Sequence, residues 1–319
     1  MRGLTMILVV YSHVCNYCLG DRMMALNDVL FLFRMPCFFF ISGWLFEKPE
    51  REWSLAAVKE VVRKKFMVQI VPTFIFLMLL APPPLFFSRL GATKGGYWFT
   101  FALFEYFVLY MLTARMGRRG SWLVAVVVSV AAFCYDIFYG RMVASAFFHP
   151  LVFKMLGFLG FMTWRFYLFF FLGTVVKRHF GRFLELTDSP SVLAGVAAAF
   201  ALVALIPQGD SMTAAFLRFF AGGLFGTLLV FTLFRLCYAD RQSPLLYIGT
   251  RTLDIYLLHY FFLPRFLLPF GDELRSLHCL PAEIVVALAL ALIVTAISLL
   301  VSRLLRTSPF LAHYLFGVK

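Results

Sequence analysis

Arg2 and His13 are a pair whose residue types and spacing fit catalysis. They lie eleven residues apart, and at ~100° per residue an α-helix returns after that many steps to within ~20° of its starting direction, with a rise of ~16 Å. An arginine can hold a phosphate bidentately, and a buried histidine can exchange protons near neutral pH. The same two residues also fit a cationic anchor at a membrane surface and a hydrogen-bonded interior histidine.

Other ionisable side chains interrupt long apolar runs. A charge in hydrocarbon costs at least ~2.5–3.5 kcal/mol on insertion scales, so these residues indicate an active site, a transport path or both. Arg34 precedes Pro36, which loosens a helix. The structural alternatives for Arg34 are a side chain that extends outward to the membrane surface and an ion pair with Glu105. Asp254 and His259 are separated by ~140° on a helix and do not share a face, so each is expected to contact another helix. For His259, a bond to a backbone carbonyl is the alternative.

The elements that must position these residues are apolar helices. The chain has 319 residues, of which 62% are hydrophobic and 14% charged, and its mean hydropathy is +0.88. A soluble domain averages roughly 45–50% apolar residues and about 25% charged ones, so this composition argues against an ordinary soluble enzyme. Open strands do not survive in lipid, so we expect an all-α polytopic membrane protein. About ten apolar runs are long enough to span: 3–19, 29–46, 66–87, 97–114, 121–139, 155–176, 190–206, 214–234, 247–268 and 281–302.

The net charge of +13 follows the connections between these runs. With the N-terminus in the cytoplasm, the inner connections hold 18 Lys and Arg residues and the outer ones hold 5. This asymmetry predicts that both termini are cytoplasmic. It also explains the basic composition without nucleic acid, so the lipid bilayer is the expected partner.

Motifs for fixed cofactors are missing from the sequence. There is no phosphate-binding glycine loop, no His-Glu-x-x-His and no Gly-x-Ser-x-Gly. The Cys15-x-x-Cys18 pair has no second pair or histidine at zinc spacing, so we predict no metal. No polar connection is long enough for a soluble domain, and the chain is expected to form one transmembrane domain, 1–319.

The sequence resembles the acyltransferase-3 family of integral-membrane acyltransferases, and within it the fucose 4-O-acetylase-like members. The likeness extends along nearly the whole chain. It is carried, in order, by Arg2-Gly3-Leu4 with Val9-Val10-Tyr11-Ser12-His13, Phe33-Arg34-Met35-Pro36 with Ile41-Ser42-Gly43-Trp44-Leu45-Phe46, Tyr97-Trp98-Phe99 with Leu103-Phe104, Phe169-Phe170-Phe171-Leu172-Gly173, and Tyr247-Ile248-Gly249 with Leu253 and Ile255-Tyr256-Leu257-Leu258-His259.

The resemblance implies a ten-helix fold and transfer of an acyl group, usually acetyl, from a coenzyme A thioester. The implied acceptor is a hydroxyl of an envelope glycan or a lipid-linked sugar, and the implied location is the bacterial inner membrane. It also places Arg2 and His13 at the family's essential pair. The acyl donor is a diffusible substrate in this hypothesis.

The residue roles expected for that reaction are as follows. Arg2 binds the donor's phosphates at the inner surface, with the basic cluster Arg63, Lys64 and Lys65. His13 is the general base for the acceptor hydroxyl. Arg34 stabilises the oxyanion or binds the acceptor. Glu105, Asp254 and His259 are the candidates for orienting His13.

A transporter or flippase of a small anion or a lipid-linked sugar is the alternative function. Buried charges and broken helices also mark transport paths. The sequence shows no evident repeat of two halves, which weakly disfavours transport. Acyl transfer by the purified protein distinguishes the two hypotheses, because a transporter would give none.

Overall fold

Helices form all the regular secondary structure in the residues that the computed structural model describes: 1–21, 24–80, 94–144, 150–209, 211–237 and 243–317. The predicted all-α class is thus confirmed for those residues, while the end of the predicted run 66–87 lies outside them. The α-helices are α1 (Arg2–Tyr17), α2 (Asn27–Phe46), α3 (Leu55–Lys65), α4 (Val71–Leu80), α5 (Trp98–Thr113), α6 (Gly117–Ala144), α7 (Pro150–Leu159), α8 (Tyr167–Arg178), α9 (Phe180–Thr187), α10 (Pro190–Ala204), α11 (Met212–Phe216), α12 (Gly222–Cys237), α13 (Pro244–Thr250), α14 (Thr252–Phe262), α15 (Leu268–Ser276), α16 (Leu280–Leu305) and α17 (Pro309–Phe316).

Serine followed by proline begins several of these helices. The hydroxyls of Ser189, Ser243 and Ser308 each accept a hydrogen bond from a backbone N–H inside the helix that follows. A serine at this position satisfies one of the free N–H groups of the first turn. The proline that comes next has no N–H to satisfy and its φ already suits a helix. The starts of α10, α13 and α17 are therefore encoded locally.

Several helices are long and apolar enough to cross a membrane. Among the described residues these are Asn27–Phe46, Trp98–Phe138, Met212–Leu236 and Leu280–Leu305. The pair α9 and α10, bent by 85° at a short break, is a further candidate. These helices support an integral membrane protein. The number of ten crossings and the cytoplasmic location of both termini stay predictions.

Two predicted runs are broken rather than continuous. The run 155–176 is interrupted at Gly160, whose φ of 76° lies in the left-handed region, where glycine is favoured. In the run 247–268, helix α14 ends at Phe262, and the next residue, Leu263, is extended with ψ 119°. A residue before proline is pushed out of the helical region, and Pro264 follows Leu263.

The chain divides into two compact units. The first comprises Met1–Ile41 and His179–Thr307. Within it, α1 packs against α13, α14 and α16, and α10 packs against α12. Met6, Val10 and Leu257 are completely buried there, so α1 lies in the interior of this unit.

The second unit comprises Ser42–Arg178 and Ser308–Lys319. Within it, the 3-10 segment Phe161–Phe166 packs against α6, and α17 packs against α4. A π-helical segment, Phe66–Ile70, joins α3 to α4.

Two glycines allow helices to meet backbone to backbone. A Cβ at Gly3 in α1 would overlap the carbonyl oxygen of Leu245 in α13. A Cβ at Gly43 in α2 would likewise overlap the carbonyl oxygen of Phe170 in α8. Each glycine belongs to one of the sequence stretches on which the family resemblance depends, so packing explains why those stretches contain glycine.

Candidate active site

His13 and His259 form the centre of the candidate site in the first unit. Nδ1 of His13 lies 2.7 Å from Nε2 of His259. The two rings are nearly coplanar, with an interplanar angle of 11° and centroids 5.0 Å apart. This is the geometry of an in-plane N–H···N hydrogen bond between α1 and α14.

A backbone carbonyl sets the direction of this hydrogen bond. Nδ1 of His259 lies 3.0 Å from the carbonyl oxygen of Ile255. Because a carbonyl can only accept, Nδ1 of neutral His259 carries the proton and its Nε2 is an acceptor. Nδ1 of His13 must then donate to His259, which leaves the lone pair on Nε2 of His13. The nitrogen of His13 that does not face His259 is therefore the basic one.

Aromatic side chains surround that nitrogen. The hydroxyl of Tyr260 lies 3.4 Å from Nε2 of His13. The ring of Tyr17, 40% of whose surface is exposed, has its centroid 5.7 Å from that of His13. The Arg265 guanidinium lies 6.0 Å from the centroid of Tyr17. His259 is fully buried and His13 only partly so, so His13 is the member of the pair with exposed surface.

Sequence reasoning did not single out Tyr17, Tyr260 or Arg265. Tyr260 directly follows His259, and Tyr17 lies one helical turn after His13. Residues four positions apart share a helix face, so the position of Tyr17 was a usable signal.

Arg34 lies in α2 of the same unit and is 7% exposed. Its guanidinium carbon is 3.8 Å from the centroid of Phe31, one turn earlier in the helix. Arg34 is thus a buried cation in the same unit as the histidine pair.

Asp254 and Glu105, the other candidates for orienting His13, have different partners. Asp254 accepts two hydrogen bonds from Arg306, at 2.8 and 2.9 Å, and one from Ser302 at 2.5 Å. Asp254 therefore ties α14 to α16 and the residue that follows it. Glu105 belongs to the second unit, where it accepts a hydrogen bond of 2.6 Å from Nε1 of Trp164. Of the three candidates, His259 is the one that contacts His13.

Arg2 begins α1 next to α13. Its Cβ atom lies 3.8 Å from the position that a Cβ atom at Gly249 would take. Its Nε atom is buried and has no hydrogen-bond partner among the described residues. A buried guanidinium nitrogen without a partner is costly, and an anionic group at this position would remove that cost.

The basic cluster Arg63, Lys64 and Lys65 forms the last turn of α3 in the second unit. Arg63 and Lys64 are exposed. The Lys65 ammonium instead lies 4.2 Å from the ring centroid of Phe107. The cluster is thus divided, because consecutive residues of a helix point ~100° apart.

Within the described part of the chain, no group of three or more His, Cys, Asp or Glu side chains is arranged to hold a metal ion. The candidate site consists of imidazole, phenol and guanidinium groups. These groups can exchange protons and bind anions, which is the chemistry of acid–base catalysis.

One of three comparisons with known proteins gives a match. No curated protein and no solved structure matches the chain significantly. A family model described as an acyltransferase domain matches residues 1–303 of the 319. The chain therefore belongs to the acyltransferase-3 family of membrane acyltransferases.

Proposed function

We propose that the protein transfers an acetyl group from coenzyme A to a hydroxyl of an envelope or extracellular glycan, with Nε2 of His13 as the general base. The observation that carries this proposal is the hydrogen-bond chain from the Ile255 carbonyl through His259 to His13. That chain holds the His13 ring in one tautomer and places its lone pair on the nitrogen that does not face His259. A base oriented by a second group is the arrangement that activates hydroxyl nucleophiles in other enzymes.

The reaction balances with the groups present. Nε2 of His13 accepts the proton of the acceptor hydroxyl while the oxygen attacks the thioester carbonyl. The tetrahedral intermediate then collapses, the C–S bond breaks, and the imidazolium returns its proton to the leaving thiolate. An O-acetyl ester and free coenzyme A result. Arg34 is the candidate for stabilising the oxyanion, because a fixed positive charge in a water-poor site acts most strongly where negative charge develops.

Arg2 is the donor-binding residue that the geometry favours. Its buried Nε atom has no partner among the described residues, and a phosphate oxygen would supply one. The ~16 Å rise from Arg2 to His13 along α1 is comparable to the length of an extended pantetheine arm. The donor would therefore bind with its phosphates at Arg2 and its thioester at His13. The predicted contact of Arg63, Lys64 and Lys65 with the donor is not needed for this arrangement.

The acceptor and the location are the finer parts of the proposal. A glycan or lipid-linked sugar would reach His13 from the side opposite Arg2, which by the charge asymmetry is the outer side. The bacterial inner membrane is the location that fits a cytoplasmic donor and an envelope acceptor.

The decisive experiment uses the purified full-length protein in detergent. Release of free coenzyme A from acetyl-CoA is followed with a thiol reagent, and O-acetylation of added glycans is measured by mass spectrometry. His13→Ala is expected to lower turnover by about 10²–10⁴-fold, the usual contribution of a general base. His179→Ala, the same change at an exposed histidine, is the control and should retain turnover. Folded His13→Ala with full activity would overturn the mechanism. A wild-type protein that transfers no acetyl but moves lipid-linked sugar across vesicles would favour the transporter alternative.

A further inference from the structure

A cleft in the second unit lies between the end of α3 and the C-terminal helix α17. Its volume is about 360 Å³, within the range of small-molecule sites in proteins. One wall is formed by Arg63, Lys64 and the π-helical segment, and the other by His313 and Tyr314 of α17. The family match ends at residue 303. The wall of the cleft that α17 forms therefore lies outside the matched residues.

The walls of the cleft are held by packing. Gly317 follows α17 in the left-handed conformation, with φ 62°. A Cβ there would come within 2.6 Å of the Val68 Cα atom, so the end of α17 lies directly against the π-helical segment. The Phe316 ring is buried and has its centroid 6.2 Å from that of Phe76 in α4. The cleft is thus a formed feature of the unit.

The π-helical segment gives the cleft its shape. The Val71 N–H donates to the Phe66 carbonyl, which widens this turn by one residue. Buried Gln69 fixes the turn by donating a 2.7 Å hydrogen bond to the carbonyl of Thr100. Single π turns inside helices are frequent at functional sites. Here the widened turn presents Met67 and Val68 to the cleft.

Charge and apolar surface are separated within the cleft. Arg63 and Lys64 supply two positive charges against the single negative charge of Glu60. Neither cation forms an ion pair with another residue in the part of the chain that the structure describes. Apolar side chains of Met67 and Val71 line the rest of the cleft.

Exposed apolar side chains continue from the cleft along the unit. The exposed fractions are 44% for Phe66, 42% for Met67, 68% for Phe310 and 42% for Tyr314. In a membrane protein such a surface lies against acyl chains. A ligand with a charged head and an apolar tail would match both parts of the site.

We propose that this cleft binds the phosphate of an anionic phospholipid, with Arg63, Lys64 and His313 around the headgroup and the acyl chains over the adjoining exposed apolar side chains. The charge asymmetry of the sequence predicts that α3 lies at the cytoplasmic face, where anionic lipids attract basic residues. The phosphates of coenzyme A have the same chemistry and are the competing ligand, but a soluble nucleotide does not account for the apolar surface. The inference does not depend on acyl transfer, because its residues and the histidine pair belong to different units.

The test is a thermal-unfolding titration of the full-length protein in a neutral detergent. Phosphatidylglycerol, phosphatidylcholine and coenzyme A are added in separate series. A ligand that binds the folded state raises Tm with its concentration. We expect saturable stabilisation by phosphatidylglycerol, little by phosphatidylcholine, and competition only from other anionic lipids.

The variants locate the effect. Arg63→Gln with Lys64→Gln is expected to lower the apparent affinity for phosphatidylglycerol by roughly 20–30-fold, from the usual contribution of each basic residue near an anionic surface. Lys59→Gln removes one positive charge from an exposed position of α3 outside the cleft and should change little. His313→Gln tests the α17 wall and should also weaken binding, by a smaller factor.

Three results would overturn the proposal. Equal stabilisation by phosphatidylcholine would remove the role of the phosphate charge. A loss in Lys59→Gln as large, per charge removed, as that of the double variant would mean general surface attraction. Binding of coenzyme A through Arg63 and Lys64, unaffected by phosphatidylglycerol, would assign the cleft to the acyl donor. Because the experiment measures binding, the Tm of His13→Ala should rise with phosphatidylglycerol as the wild-type Tm does, whether or not the protein is an acyltransferase that uses His13.

Discussion

The His13 ring donates from Nδ1 to Nε2 of His259 across 2.7 Å, and His259 in turn donates to the Ile255 carbonyl. Two neutral imidazoles are thereby held in defined tautomers by a group of the main chain. The basic atom of the pair is Nε2 of His13. The predictions below begin with this relationship.

Replacing His259 should reduce turnover without preventing substrate binding. His259→Ala removes the acceptor that holds the Nδ1 proton of His13, so we expect kcat to fall by up to the ~10²–10⁴-fold that a general base contributes, with KM nearly constant. His259→Gln retains a carbonyl oxygen that can accept the same proton and should recover part of the loss. Steady-state kinetics of both variants give the kcat and KM values. Equal activity of the alanine and glutamine variants would contradict a positioning role.

Arg34 should contribute through its charge and its geometry. If Arg34 stabilises the oxyanion, Arg34→Gln lowers kcat by about 10²–10³-fold, the usual effect of losing one oxyanion donor. Arg34→Lys keeps the charge but loses the planar fork, so it should recover only part. A rise in KM at unchanged kcat would instead assign Arg34 to acceptor binding.

The ion pair of Asp254 and Arg306 should stabilise the first unit. The Asp254 side chain is 3% exposed and that of Arg306 18%, so Asp254→Asn leaves a largely buried guanidinium without its charge partner. Removing one partner of a buried pair costs about 3 kcal/mol or more. Thermal unfolding measures the loss. Asp272→Asn is the matched control, since the Asp272 side chain is 78% exposed beside Arg275 and an exposed pair is worth about 1 kcal/mol at most.

Gly3→Ala should separate α1 from α13. The added methyl group would overlap the Leu245 carbonyl oxygen, and forcing extra volume into a packed contact typically costs about 1–3 kcal/mol. A lower Tm and reduced turnover are both expected, because α1 carries His13. Gly195→Ala is the control: nothing lies within 4 Å of its Cβ position, and alanine favours a helix interior by about 1 kcal/mol. Unchanged stability in Gly3→Ala would mean that the helices move apart at no cost.

Much of the fold follows from local sequence patterns. Hydropathy locates the apolar helices, and Ser-Pro locates the starts of α10 and α13. The breaks near Gly160 and Pro264 are local in origin too. The π-helical segment Phe66–Ile70 carries no such signal, since it depends on how neighbouring helices pack.

The site was only partly accessible from sequence. Helical periodicity places Arg2 and His13 on one face, and it separates Asp254 from His259. The structure bears out that separation, because His259 contacts α1 whereas Asp254 contacts α16. Which of several buried polar residues meets His13 is a matter of tertiary packing between distant segments. A single sequence carries no information on which of these residues contacts His13, so Glu105, Asp254 and His259 were equal candidates.

The cleft beside α17 was not foreseen for the same reason. His313 follows the last apolar run, and nothing in its neighbourhood indicates a site. It gains a possible role only because α17 folds back against α4. The sequence predicted that Arg63 and Lys64 bind phosphate. It did not predict that the Lys65 side chain would lie apart from theirs, against Phe107.

The Ile255 carbonyl at the end of the histidine chain has one more consequence. A carbonyl oxygen can accept a hydrogen bond but has no proton to donate, so no proton is relayed beyond His259. A proton that binds Nε2 of His13 must therefore leave from the same nitrogen. Proton exchange at the histidine pair is thereby confined to the side of His13 that does not face His259.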